Sequence, residues 1–173
     1  FRMGLPGSLR SESLGFESPQ HDITIAYEFA VGRYEVTVGQ FAAFVKESGS
    51  ATEKRGGCRG LSREMRWSME GDRDWQSPGF KQGDDHPVVC VSWADAKAYA
   101  DWLATKTGKA YRLLAESEWE YVARAGSKGP RHWGEADSDA CKYANVWDEA
   151  GLSGMGLTAP VNQAATPSVS IPS

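Results

Sequence analysis

The chain has 173 residues, the size of one ordinary domain, and its 40% hydrophobic and 24% charged residues allow a packed core. Its net charge of −4, with no basic run, excludes the clustered Lys and Arg that a nucleic-acid groove requires. No apolar segment approaches the roughly 20 residues that span a bilayer, so neither nucleic acid nor a membrane is an expected partner.

Seven tryptophans and nineteen glycines predict irregular backbone braced by aromatic side chains. The first residue is Phe1 rather than Met and nothing resembles a signal peptide, which points to a trimmed or excised piece and leaves the compartment open. Residues 1–20 read as a short strand-like start followed by a polar Gly/Ser/Pro loop. In "HDITIAYEFAVGRYEV", Ile23, Ile25, Tyr27 and Phe29 alternate with Thr24, Ala26 and Glu28, the period of a half-buried strand. "EVTVGQFAAFVKESG" predicts a helix. Thr37 with Gln40 forms a T-x-x-Q capping box, Phe41, Phe44 and Val45 follow at helical spacing, and Gly49 supplies a left-handed stop. Residues 50–86 show no period and read as a long loop held by aromatics, of a length that is often functional. Trp67, Trp75 and Phe80 could line a ligand cleft there, although aromatic bracing of the loop is the plainer reading.

"HPVVCVSWADAKAYADWLATKTG" predicts a short apolar strand at 88–91 and a second helix. Ser92 caps it with Asp95, its buried face is Ala96, Tyr99, Ala100 and Leu103, and Gly108 closes it. Residues 111–113 are strand-like. In "RLLAESEWEYVARAG", Ser117 with Glu120 spells a third capping box, and Glu116 and Glu118 lie near the helix start, where the backbone dipole favours acid. Trp119, Val122, Ala123 and Gly126 share the face expected to enter the core. Glu118 and Glu120 point in different directions on such a helix, so capping and packing explain them better than an acid–base pair, which needs converging geometry. From His132 onward the chain is loop-like, and its last dozen residues are small and polar. The order of elements predicts an α+β fold without an internal repeat.

Cys58, Cys90 and Cys141 are far apart and form no C-x-x-C or Cys/His cluster, which argues against zinc. One disulfide with a free thiol and three reduced thiols both stay open, with Cys90, in its apolar segment, read as a buried small thiol. His21, His86 and His132 each lack a second ligand at useful spacing. "GLSGMG" follows no clear strand, so it is not read as a nucleotide loop, and no Ser-centred nucleophile elbow is present. No catalytic residue is assigned.

The stretches "FRMG", "YEVTVGQFAAFV", "WQSPGF", "HPVVCVSWADAKAYADWL", "YRLLAESEWEYVARAG", "HWG", "YANVWD" and "TAPV", in this order and spacing, resemble the formylglycine-generating enzyme (sulfatase-modifying factor) family. The resemblance covers residues 1–161, expected to be the N-terminal portion of such a domain, with 162–173 as a divergent, flexible tail. It implies a C-type lectin-like variant of the α+β class, with low regular secondary structure and here without its C-terminal part. Full members look like copper-dependent oxidases that convert a sulfatase cysteine to formylglycine, using a cysteine pair to hold Cu(I); soft thiolates select that ion. In the family those cysteines come late, and Cys58, Cys90 and Cys141 match none of their positions, so copper and competent oxidation are not expected of this chain. Ala100 and Ala123 stand where some members have disulfide cysteines. Leu114 and Ala115 stand where the family usually has Pro and Thr, so Ser117 is expected to inherit the helix cap.

The resemblance also implies a calcium site at Asn145, Val146, Ser153 and Met155, weakened because Ser153 replaces an acid and calcium favours several carboxylates. Three functions stay open: a formylglycine-generating-enzyme-like domain that is not a competent oxidase, a non-catalytic lectin-fold module binding a peptide or protein ligand, and a portion of a copper-dependent oxidase. A piece without the later strands is further expected to self-associate or to be completed by another polypeptide.

Overall fold

The computed structural model describes residues 1–5, 19–50, 52, 58–61, 67–129, 131–133 and 143. Its elements in chain order are β1 (Arg2–Met3), β2 (His21–Asp22), α1 (Val38–Ser48), β3 (Cys58–Leu61), β4 (Trp67–Glu70), α2 (Trp93–Thr107) and α3 (Glu116–Arg124). The class is mixed α+β. The chain divides into two compact units, and the described residues of the first come from Phe1–Val31 and Leu114–Tyr143, those of the second from Gly32–Leu113.

In the second unit both helices begin as their sequences dictate. Thr37 accepts from the Gln40 backbone N–H at 3.2 Å, and the Gln40 side chain accepts from the Thr37 N–H at 3.0 Å. Ser92 and Asp95 make the same reciprocal pair at 3.0 Å each. These contacts satisfy N–H groups that a helix start leaves without intrahelical partners. Gly49 (φ 64°) and Gly108 (φ 70°) end α1 and α2 in the left-handed region, which costs glycine little. The core is aromatic: Phe41, Phe44 and Trp75 are buried, and Tyr99 and Trp102 of α2 pack against them. Each fully buried ring of this kind contributes about 1.5–3 kcal/mol of transfer free energy.

Four expectations change in this unit. The 50–86 stretch is not wholly irregular, since β3 and β4 form an antiparallel hairpin with Cys58 opposite Glu70 and Leu61 opposite Trp67. Residues 88–91 are not a strand. A single bridge joins Thr37 to Pro87, the Val88 N–H reaches the Val36 carbonyl at 2.9 Å, and then Cys90 adopts φ 59°, which breaks an extended run. Nor is Cys90 a lone buried thiol: it is half-buried and disulfide-bonded to Cys58, with Cα atoms 5.0 Å apart. Residues 111–113 also lack a strand partner among the described residues.

In the first unit β1 pairs antiparallel with β2, Arg2 opposite Asp22 and Met3 opposite His21. Phe1 and Ile23 exchange backbone hydrogen bonds at 2.7 and 2.8 Å. Beyond Ile23 the chain keeps part of its alternating exposure, with Ile25 and Phe29 half-buried, but among the described residues it joins no ladder, so the predicted long strand shrinks to two residues. Tyr27, expected on the inner face, is 57% exposed.

The third helix departs most from expectation. Its N-cap is Ala115, not Ser117, and the Glu118 carboxylate accepts the Ala115 N–H at 2.7 Å. Trp119 is 65% exposed, whereas Glu118 has no exposed surface. The helix is turned so that Glu118 and Tyr121, rather than Trp119 and Ala123, face inward. Gly126 lies past its end, after Ala125, and both are left-handed.

Candidate functional site

A dense polar cluster is built around α3. Glu118 Oε1 accepts the Tyr27 hydroxyl at 2.9 Å while its other oxygen holds the Ala115 N–H. Two residues on, Glu120 Oε1 accepts the Gly4 N–H and Arg124 Nε, both at 2.7 Å. Arg124 donates further to the Gly129 carbonyl at 2.7 Å and the Gly4 carbonyl at 3.0 Å. Its side chain is 11% exposed, so the ion pair with Glu120 is held in a largely desolvated place. The two carboxylates reach different parts of the chain and each is taken up by donors. They cap the helix and tie β1 to it, and they do not converge on a shared substrate atom as an acid–base pair must.

Beside this cluster lies a cavity of about 530 Å³, lined by Phe1, Arg2, Gln20, Tyr121, Arg124, Gly126, Ser127 and Lys128. Its volume falls within the range of small-molecule pockets, roughly 300–1,000 Å³. Among the described residues three basic side chains and no acid form its wall, yet Arg124 already binds Glu120 and two carbonyls, and Arg2 stands 3.7 Å from Asp22. Arg124 also sits in the last turn of α3, where positive charge complements the backbone dipole. His132, Trp133 and Tyr143 form a separate aromatic group, with the Trp133 and Tyr143 rings stacked 5.8 Å apart.

Of the residues expected to line a cleft, Trp75 is buried in the second unit's core, edge-on to Phe41 at 5.2 Å, and its indole N–H donates to Thr52 at 3.2 Å. Phe80 is half-buried, and Trp67 takes its place in β4. The implied calcium residues Asn145, Val146, Ser153 and Met155 lie outside the described residues, as does Cys141. Among the described residues no group of three His, Cys, Asp or Glu side chains is placed to hold a metal, and no helix is long and apolar enough to cross a membrane. Burial, with Tyr111 nearby as the lesser cause, pushes the Tyr99 phenol up from its ordinary range, so it is a neutral packing group at neutral pH.

Sequence reasoning missed the anchoring role of Glu118. The signal was present, because Glu118 follows Ala115 by three, the spacing of a carboxylate reaching back to an N-cap N–H. Ser117 with Glu120 has the same spacing and the better capping residue, so the local pattern alone chose the other box.

The model of the sulfatase-modifying factor enzyme 1-like domain family matches residues 1–168. The chain is 33% identical over 155 residues to the formylglycine-generating enzyme of Streptomyces coelicolor, covering 76% of this chain and 47% of that protein. With the formylglycine-generating enzyme of Mycobacterium tuberculosis it shares 32% identity over 177 residues, covering 82% and 57%. A Bos taurus protein named inactive C-alpha-formylglycine-generating enzyme 2 is 32% identical over 68% of this chain and 45% of its own length. The chain spans about half the length of the curated relatives it matches.

Proposed function

The chain belongs to the sulfatase-modifying factor enzyme 1-like family, and we propose that its 173 residues do not by themselves form a copper-dependent oxidising centre. The Cys58–Cys90 disulfide carries this reading. The chain has three cysteines, so that bond leaves one thiol, whereas a Cu(I) centre held by a cysteine pair needs two thiolates. The donor set does not fit the ion, and no chemical step is assigned to it. The test incubates the copper-loaded protein, with and without dithiothreitol, with a cysteine-containing sulfatase peptide and follows the peptide by mass spectrometry. An unchanged peptide is expected in both arms, in the oxidised one because a single thiol remains and in the reduced one because none of the three cysteines matches a copper-binding position of the family. A mass loss matching formylglycine overturns the reading.

A second reading rests on the relatives. Two of them are named formylglycine-generating enzymes and are about twice as long as the part matched. On this reading residues 1–173 are a portion of a copper-dependent oxidase, with the cysteine pair supplied by sequence outside them. The relative named inactive supports the alternative of a non-catalytic binding module. A close cysteine pair in the transcript beyond residue 173 favours the oxidase, and its absence favours the module.

The finer fold we propose is a C-type lectin-like variant, supported by capped helices beside very short strands. A peptide or protein ligand near Trp67, Trp75 and Phe80, and calcium at Asn145, Val146, Ser153 and Met155, belong to the same proposal. Self-association or completion by another polypeptide is supported by the exposure of Trp93 (71%) and Trp119 (65%). Light scattering at micromolar concentration checks the self-association, and thermal melting with and without calcium checks the calcium site. A monomer whose melting calcium does not alter removes the calcium and self-association parts.

A further inference from the structure

The β3–β4 hairpin is joined to the rest of the second unit in an unusual way. Its ladder is four residues long, and among the described residues neither strand packs on a helix. A two-stranded hairpin of that size is marginal in water unless something holds it. Cys58 is the outermost residue of the ladder, opposite Glu70, so a bond at Cys58 grips the hairpin at its open end.

The other end of that bond is fixed. Val36 and Val88 are joined by a backbone hydrogen bond just before Cys90, and Ser92 caps α2 just after it. Val88 and Val91 pack on the Phe41–Phe44–Trp75 core. Cys90 itself is held at φ 59°, a region that a residue with a Cβ enters at a cost and keeps only when its surroundings impose it. Cys90 is therefore a rigid peg and the hairpin the part attached to it. Trp75, inside the same loop, is anchored separately by the core and by Thr52.

We propose that the Cys58–Cys90 disulfide is a redox-sensitive clamp that tethers the β3–β4 hairpin to the Cys90 segment of the second unit, and that its reduction frees the hairpin while leaving the core folded. The inference concerns the hairpin's tether and stands whichever reading of the family activity holds. The step is thiol–disulfide exchange with a dithiol. A thiolate of the dithiol attacks one sulfur, giving a mixed disulfide and releasing the other cysteine as a thiolate that takes up a proton. The second thiol of the dithiol then displaces the remaining cysteine. The protein gains two thiols and the dithiol becomes a disulfide. Both cysteines are half-buried rather than sealed, so a small dithiol has a path to them.

The experiment is limited trypsin digestion of the whole 173-residue chain, oxidised or treated with dithiothreitol, with fragments read by mass spectrometry. Arg59, Arg63 and Arg66 supply cleavage positions in the hairpin region. Reduction is expected to speed cleavage there at least about tenfold, since cleavage follows local opening, while the far-ultraviolet circular dichroism of the core helices stays unchanged. Cys90→Gly is the companion variant, because glycine adopts the left-handed backbone without strain and deletes only the tie. Oxidised Cys90→Gly should digest like the reduced wild type and keep the core signal. Equal cleavage rates in both redox states overturn the clamp. So does loss of the core signal on reduction, slow hairpin cleavage in oxidised Cys90→Gly, or a non-reducing peptide map that pairs Cys141 with Cys58 or Cys90.

Discussion

Glu118 has no exposed surface, and its oxygens accept the Ala115 N–H and the Tyr27 hydroxyl. Replacing it with glutamine sets an amide N–H₂ against one of these donors. A buried group left without its partner costs about 1–3 kcal/mol, so Glu118→Gln is expected to destabilise the chain by that amount. Trp119, 65% exposed, is expected to tolerate alanine within about 0.5 kcal/mol. Urea unfolding of the two variants decides the orientation of α3. A larger loss for Trp119→Ala than for Glu118→Gln would restore the amphipathic reading of its sequence. That reading failed for a specific reason: the partners that turn the helix, Tyr27 and Gly4, lie 91 and 116 residues from the side chains they bind.

At the scale of elements, α1 and α2 carry complete capping boxes, but α3 has only half of one. Ala115 has the extended backbone of an N-cap (φ −71°, ψ 158°) and an exposed side chain, yet no oxygen to offer the first-turn N–H groups. Ala115→Ser should therefore stabilise the chain by about 0.5–2 kcal/mol, the range over which removing such a cap destabilises helices. An unchanged or lowered urea midpoint would mean that the first-turn N–H groups already have partners. Both complete boxes were legible in the sequence because each joins residues three apart. The β3–β4 hairpin was not, because its strands are four residues long and their pairing depends on a connection with no periodic signal.

For the molecule as a whole, the disulfide closes a loop with a sequence separation of 32 that includes the core residue Trp75. In the chain-entropy account a loop of that length restricts the unfolded state by roughly 3–4 kcal/mol. Reduction should lower the unfolding free energy of the aromatic core by about that amount, although in the absence of denaturant the core remains folded. Urea titration followed by near-ultraviolet circular dichroism measures the difference. Coincident oxidised and reduced curves would mean that the cross-link leaves the unfolded ensemble unconstrained.

The sequence by itself determined the mixed α+β class, the positions of the three helices, two of their three caps and the family, because these reside in short-range spacing and in the order of motifs along the chain. Tertiary structure alone decided which face of α3 is buried, that Cys58 meets Cys90, and that Trp75 belongs to the core with Phe41 and Phe44. Each of these is a choice among locally equivalent options. Ser117 and Ala115 both fit a cap, any two of three cysteines can pair, and a tryptophan in an aperiodic loop has no spacing that assigns it to a core. Only contacts between distant residues separate such options, and the energies that do so are hydrogen bonds to buried groups and the burial of rings, neither of which is written in any single window of the sequence.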